Sequence, residues 1–205
     1  MTARLLFITL FFTASAASAQ IATPPQPGAP QSLIDSAENA EVTYDAAKSG
    51  NWTEATARLD QLRRSAASHP TLKGVAATLA GPVQSHHRLR SMKIANEITR
   101  QANEMLRNYP TPAPVDIAIF DYEGRKLEIG TAEKSLSSLK KTTKQIRQTW
   151  NGVRPQVESR GGAAESKAFE LLVAQLENTN TIPAYGRIAT SILAEVDRLE
   201  AVFTR

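Results

Sequence analysis

Apolar side chains recur at three- and four-residue spacing along most of the chain, and this periodicity is the feature that most limits its fold. Such steps keep side chains on one face of an α-helix, whereas a half-buried strand requires strict alternation of apolar and polar residues. No alternating stretch here is long enough to compete. The longest apolar series passes through Pro155 and comprises Ala132, Leu136, Leu139, Thr143, Ile146, Trp150, Val153 and Val157.

Similar series mark the other helices. We expect one helix kinked at Pro155, and a second kink or a new helix start at Gly81-Pro82 within residues 72–108, because proline disrupts a helix interior. Short turns that contain Gly50, Gly130 or Gly161-Gly162 make sequential helices antiparallel. The sequence therefore predicts an all-α fold, an antiparallel up-and-down bundle of six to seven helices. The remaining series lie within residues 33–47, 52–66, 83–109, 117–127, 169–176 and 185–203.

Polar residues stand where several of these helices need an N-cap. Ser32, Asn51 and Thr181 can each accept a hydrogen bond from a free backbone N–H group of the first turn. Asn51 is followed by Glu54 at the spacing of a capping box, and Gly50 before it is expected to end the first helix.

The N-terminus has the pattern of a cleavable secretory signal. A single positive charge at Arg4 precedes the apolar run from Leu5 to Phe12, and the small residues Ala17-Ser18-Ala19 follow. The apolar run is far shorter than the roughly 20 residues that span a bilayer. We therefore predict a signal peptide at 1–19 with cleavage between Ala19 and Gln20, export to a bacterial periplasm, and no transmembrane segment in the mature protein.

Proline distribution divides the rest of the chain. Residues 20–31 hold four prolines, a composition that favours extended, solvated backbone, and we interpret them as a disordered linker. Residues 32–205 are then expected to form a single all-helical bundle domain. Within it, the Pro-rich loop at 109–114 is the best candidate for a subdomain boundary. A helix, glycine, cap, helix order recurs at Gly50 and Gly130, which is consistent either with an internal duplication or with two ordinary helical hairpins.

Composition excludes several classes of function. The chain has no cysteine, which excludes disulfides, cysteine-ligated zinc or iron–sulfur centres, and haem attached through C-x-x-C-H. Lys and Arg number 24 against 20 Asp and Glu, a formal net charge of only +4. That excess is small and the basic residues are not interleaved with aromatic ones, so we expect no nucleic-acid partner.

Helical bundles host metal ions and haem, and the candidate ligands here are His86, His87, Met92 and Met105. On a continuous helix His87 would lie on the apolar face with Met105, but about 27 Å away along the axis. His86 would lie about 100° from His87. We therefore interpret the histidines as core or boundary residues and expect no cofactor. Binding of a metal ion or haem around a local kink is the alternative.

Signatures of catalysis are absent from the sequence. There is no Gly-x-Ser-x-Gly nucleophile elbow, and Gly161-Gly162 lacks the lysine and hydroxyl residue of a phosphate-binding loop. A group of carboxylates invites a two-carboxylate mechanism, but on a helix beside Arg125 and Lys126 we interpret it as a solvated polar face. The group comprises Asp116, Asp121, Glu123 and Glu128.

Two basic groups remain, and in the second of them Lys140, Lys144 and Arg147 border the apolar series rather than oppose it. Their methylene stems can cover a helix seam while their charged ends remain in water. The functional interpretation is a rim that binds an anion or a partner. The candidate rim residues are Arg88, Arg90 and Lys93 in one group and Lys140, Lys144 and Arg147 in the other.

These observations predict an exported, non-enzymatic helical-bundle protein that acts by binding, as an accessory or adaptor to another protein of the cell envelope. An architecture of this kind carries no function by itself. A periplasmic bundle that binds a metal ion or haem is the alternative.

Overall fold

The structure, a computed structural model, describes residues 28–111 and 113–205. The described residues form eight α-helices and a 3-10 turn at Ala66–Ser68, with no strand. The predicted all-α class is confirmed, and the helix count is higher than the six to seven expected. The helices are α1 (Gln31–Ser49), α2 (Trp52–Ser65), α3 (Pro70–Gln84), α4 (Arg88–Leu106), α5 (Val115–Ala132), α6 (Leu136–Ser159), α7 (Ala163–Asn178) and α8 (Ile182–Thr204).

The additional helix arises because residues 72–108 form two helices rather than one. Pro82 lies inside the last turn of α3, and the chain reverses three residues later. His86 adopts a left-handed backbone conformation with φ of 54°, and α4 begins at Arg88. The expected break was therefore placed too early. A proline near the end of a helix interrupts few hydrogen bonds, so it does not have to end the helix there.

The eight helices close into two four-helix rings with the same order of contacts. In the first ring, α1 packs against α2 and α4, and α3 packs against the same two helices. In the second ring, α5 packs against α6 and α8, and α7 packs against the same two helices. The two rings, called here the first and second bundles, join mainly where α4 packs against α5. The loop at 109–114 connects these two helices.

Each bundle has its own hydrophobic core. The first core is rich in alanine and leucine around Tyr44. The second contains an aromatic cluster in which the Phe169 ring centroid lies 4.6 Å from that of Phe120 and 4.7 Å from that of Trp150. Ile129 projects from α5 into the first core and so couples the two bundles by apolar burial.

The turn between α1 and α2 confirms the helix end and the helix start that were expected there. Gly50 ends α1 with φ of 78°, and the Asn51 side chain accepts a hydrogen bond from the backbone N–H of Glu54. The predicted cap at Ser32 is wrong, because Pro30 is the N-cap residue of α1. Thr181 is the N-cap residue of α8, as predicted, but its side chain makes no capping hydrogen bond. The Ser32 hydroxyl lies 2.9 Å from His69 Nε2 instead.

Two glycines serve close packing rather than helix termination. Gly130 was expected to end its helix, but it is buried inside α5, where a Cβ atom would lie 3.0 Å from Leu139 Cδ2. At Gly124 a Cβ atom would lie 2.7 Å from Leu193 Cδ2, so this glycine lets α5 and α8 approach closely. The helix through Pro155 is continuous to Ser159, as its apolar series predicts.

The predicted signal peptide, its cleavage between Ala19 and Gln20, and residues 20–27 of the predicted linker lie outside the described residues. The linker was expected to reach residue 31, and α1 begins at Gln31. Among the helices that the structure describes, none has the length and apolar character needed to cross a membrane.

Candidate functional site

The polar face of α5 lies between the two bundles and not in solvent, which corrects the interpretation of its carboxylates as a solvated face. Arg125 is only 8% exposed, and Glu123, which lies on the other side of α5 beside Lys126, is only 4% exposed. Asp116 is the exception, because it pairs with Arg107 near the surface. We call the polar residues that α1, α4, α5 and α8 place here the inter-bundle seam. They are Glu41, Tyr44, Asp45, Asn96, Asp121, Arg125, Glu128 and Glu200.

Arg125 is the central cation of the seam. Its Nη2 atom lies 3.5 Å from Glu41 Oε2 and 3.9 Å from Asp45 Oδ2, both on α1. Its guanidinium carbon lies 5.5 Å from the centroid of the Tyr44 ring, within cation–π range. The Nε and Nη1 atoms are buried without a hydrogen-bond partner. A buried guanidinium that is only partly paired depends on its carboxylate neighbours for stability.

A second contact of the seam joins α1 to α5 through Glu128. The Tyr44 hydroxyl donates to Glu128 Oε2 at 2.8 Å, and Lys48 Nζ donates to Oε1 at 2.6 Å. Burial, with the nearby Glu128 carboxylate, raises the pKa of the Tyr44 hydroxyl and keeps it a donor. This hydrogen-bonded triad holds the C-terminal end of α1 against α5.

Three carboxyls in and beside the seam titrate near neutral pH. Burial raises the pKa of Glu41 to about 7 and that of Asp121 to about 6, although the Arg125 cation acts in the opposite direction. Burial also raises the pKa of Glu200 to about 7, and the neighbouring Asp121 adds to the effect. Perturbed carboxyls of this kind cluster at functional sites, although structural networks also produce them.

A pocket opens at the end of the seam where α4 ends, α5 begins and α8 ends. Its volume is about 520 Å³, within the range of small-molecule sites, and its lining is mostly apolar. Four polar residues interrupt this lining, Asn103, Thr111, Glu200 and Thr204. Asn103 is only 4% exposed and its Nδ2 atom has no hydrogen-bond partner among the described residues, and Glu200 is half-buried. We call this cavity the Asn103 pocket.

A second apolar pocket, of about 490 Å³, lies at the opposite end of the seam. It is lined by Leu89 and Met92 of α4 and Gly186 of α8, with Lys48 and Arg88 beside them. Its charged neighbours are mostly cations, in contrast to the carboxyls near the Asn103 pocket. The two ends of the seam therefore differ in charge.

The structure does not bring the four residues of the metal or haem alternative together. His87 precedes α4 and is exposed, so it does not share the apolar face of that helix. His86 is exposed and stacks on the Trp52 ring at a centroid distance of 4.8 Å. Met92 is buried, and Met105 lies thirteen residues further along α4, about 20 Å away. Within residues 28–111 and 113–205, no group of three His, Asp or Glu residues is arranged to hold a metal ion.

The six basic residues of the proposed rim lie on two helices of different bundles. Two of them are engaged by carboxylates: Lys93 donates to Glu133 at 2.7 Å, and Arg147 pairs with Glu170 and Glu177 at 2.9 and 2.8 Å. The other four, Arg88, Arg90, Lys140 and Lys144, are exposed. Of the six, only Arg88 lines one of the pockets described here.

Sequence reasoning missed the seam and the Asn103 pocket, although a signal was present. Asn96, Thr99 and Asn103 recur on α4 at the three- and four-residue spacing that was sought only among apolar residues. The same spacing relates Asp121, Arg125 and Glu128 on α5, and Glu41, Asp45 and Lys48 on α1. A polar series at helical spacing on several helices can therefore indicate a buried polar interface.

Comparisons with models of protein families, with curated proteins and with solved structures find no match. Function has to be inferred from the chemistry of the site itself.

Proposed function

We propose that this chain is an exported periplasmic protein that acts by binding, without catalysis, as an accessory or adaptor protein of the cell envelope. Its binding site is the Asn103 pocket at the junction of the two bundles. Export is supported by the N-terminal sequence pattern. The observation that carries the binding role is the pocket itself, in which an apolar lining surrounds a buried amide donor without a partner.

Two properties of the pocket favour binding. Apolar walls with a few convergent polar groups are typical of ligand sites, because burial supplies affinity and the polar groups fix orientation. The unpaired Asn103 Nδ2 atom would gain a partner if a ligand accepted its hydrogen bond. Elsewhere in the seam Glu128 is engaged internally by Tyr44 and Lys48, and these contacts hold α1 of the first bundle against α5 of the second.

One observation favours a second candidate, general acid–base chemistry. The pKa of Glu200 is raised to about 7 by burial, close to the value at which a carboxyl exchanges protons most efficiently at neutral pH. Purified protein would be assayed with chromogenic esters, glycosides and phosphoesters. Turnover with a bell-shaped pH profile that is abolished in Glu200→Gln would establish this candidate and exclude a purely binding role.

Site-specific photocrosslinking tests the binding proposal in the full-length protein. A photoreactive phenylalanine analogue replaces Thr204, an exposed residue of α8 that lines the Asn103 pocket. The control replaces Thr190, which is exposed on the same helix and lies outside this pocket. Both variants are produced in a bacterial host, irradiated in intact cells and analysed by mass spectrometry of the purified protein.

We expect a defined adduct at position 204 that is weak or absent at position 190. Its mass distinguishes a small ligand from an envelope protein. N-terminal sequencing of the periplasmic fraction should give a chain that begins at Gln20. Equal labelling at both positions would contradict the binding site, and retention of an uncleaved chain in the cytosol would contradict export.

A further inference from the structure

We infer that the Asn103 pocket binds an amphiphilic amine: an apolar chain or ring that carries an ammonium group and, beside it, an oxygen that accepts a hydrogen bond. The inference rests on the proposed function, because it names the chemical class that the same pocket recognises. It follows from three features of the pocket: the shape and polarity of its walls, the charge around Glu200, and the unpaired amide of Asn103.

The walls of the pocket suit the apolar part of such a ligand. Its volume of about 520 Å³ exceeds what a chain of eight carbons occupies, so the pocket can hold a medium-sized alkyl or aryl group. Burial of that group supplies affinity in proportion to the apolar area removed from water. The apolar wall residues include Ile34, Leu106, Pro114, Val115 and Ala118.

The charges around Glu200 select a cation. Asp197 lies on the same helix, and Asp121 of α5 and Glu41 of α1 lie near enough to interact with Glu200 or with one another. Arg125 is the cation among them, and its Nη2 atom is directed to Glu41 and Asp45. The carboxyls outnumber the cation, so an ammonium group at Glu200 relieves repulsion and gains a charge-assisted hydrogen bond.

Proton release gives this arrangement a measurable signature. Burial and the neighbouring Asp121 raise the pKa of Glu200 to about 7, so the carboxyl is partly protonated at neutral pH. A bound ammonium group favours the ionised carboxylate and displaces the proton. Affinity for an amine should therefore rise between pH 5 and pH 8, and binding near pH 7 should release protons to the buffer.

Asn103 accounts for the oxygen of the ligand. The side chain is only 4% exposed, it lines the pocket, and its Nδ2 atom has no partner within residues 28–111 and 113–205. A hydroxyl or carbonyl oxygen next to the ammonium group accepts this hydrogen bond while the ammonium group contacts Glu200. An amine with such an oxygen should bind more tightly than the same amine without it.

Isothermal titration calorimetry of the full-length secreted protein tests the inference. The probes are octylamine, 2-aminooctan-1-ol and octanoate, each titrated at pH 5, pH 7 and pH 8. Repeats at pH 7 in buffers of different ionisation enthalpy count the protons released. The variants are Glu200→Gln, which removes the charge, and Ala118→Leu, which fills the pocket. Glu165→Gln is the matched control, because this carboxylate lies on α7 and pairs with Arg205. Circular dichroism verifies the fold of each variant.

We expect saturable binding of one octylamine at pH 8, tighter binding of 2-aminooctan-1-ol, and no displacement of either amine by octanoate. Glu200→Gln and Ala118→Leu should each weaken amine binding about tenfold or more, and Glu165→Gln should not change it. Unchanged affinity in both pocket variants, or displacement by octanoate, would overturn the inference. If the amines fail to bind but Thr204 captures an envelope protein, the ligand class is wrong and the proposed function stands. If neither occurs, both are wrong.

Discussion

Replacing Arg125 with methionine should destabilise the protein in a strongly pH-dependent way. The side chain is nearly buried, and it lies within 3.5 Å of Glu41 and 3.9 Å of Asp45. At pH 8 these carboxylates are ionised, and removing one partner of a buried ion pair costs about 3–5 kcal/mol. Because Asp45 is itself exposed, we expect the lower part of this range, about 3 kcal/mol.

At pH 5 the same substitution should be nearly neutral. The raised pKa values of Glu41 and Asp121, about 7 and about 6, leave both carboxyls mostly protonated at pH 5. Arg125 is then a buried cation with few charged partners and two unpaired N–H groups, and an apolar side chain of similar length replaces it with little loss. The contribution of Arg125 is thus present above the pKa values of its partners and is lost as pH falls through them.

Urea unfolding at pH 5 and pH 8, followed by circular dichroism and tryptophan fluorescence, measures this difference. Trp52 reports on the first bundle and Trp150 on the second. Arg154→Met is the control, because the pKa of its partner Glu158 is lowered by that ion pair and the pair stays ionised at both pH values. Its small effect should be equal at pH 5 and pH 8. A loss for Arg125→Met that is equal at both pH values, or larger at pH 5, would refute the reasoning.

Four further substitutions test other parts of the structure by urea unfolding. Gly162→Ala should lower the free energy of unfolding by about 1–3 kcal/mol, because the new Cβ would lie 2.7 Å from Val157 Cγ1. Gly152→Ala, in open space on α6, should raise the free energy of unfolding by about 0.5–1 kcal/mol. A gain in stability at both sites would contradict the packing. Glu41→Gln should stabilise the protein at pH 8 and have little effect near pH 4. Burial raises the pKa of Glu41 from 4.5 to about 7, so the free energy of unfolding of the wild-type protein falls by about 1.4 kcal/mol per pH unit as pH rises across that window. An unchanged pH profile of stability in the variant would contradict this. Asn51→Ala should lose about 1 kcal/mol through the missing cap of α2, and a neutral result would show that the cap is not formed in solution.

Individual helices could be predicted from the sequence because their apolar spacing is a local property. The series from Leu136 to Val157 gave α6 correctly through Pro155, and Asn51 gave the start of α2. The division into eight helices could not be predicted in the same way. The reversal after α3 depends on a left-handed residue, His86, and histidine is a weaker turn signal than the preceding Gly81-Pro82.

The site was missed for a different physical reason. The search for apolar series assigns every polar series to solvent, so Arg125 and its neighbouring carboxylates were placed on an exposed face. Whether a polar face is exposed depends on what packs against it, and here the first bundle covers α5. The closure of the chain into two rings brings α1 and α8 to the same seam, although Glu41 and Glu200 are about 160 positions apart in the sequence. Local spacing carries no information on such a contact.

Titration of the individual carboxyls by NMR tests the buried seam most directly. The side-chain carboxyl carbons of Glu41, Asp121 and Glu200 would be followed from pH 3 to pH 9, with assignments from the Gln and Asn variants. The structure predicts midpoints of about 7, about 6 and about 7. Midpoints near the ordinary values of 4.5 for Glu and 3.8 for Asp would show that these groups face water, and would contradict both the seam and the binding site at its end.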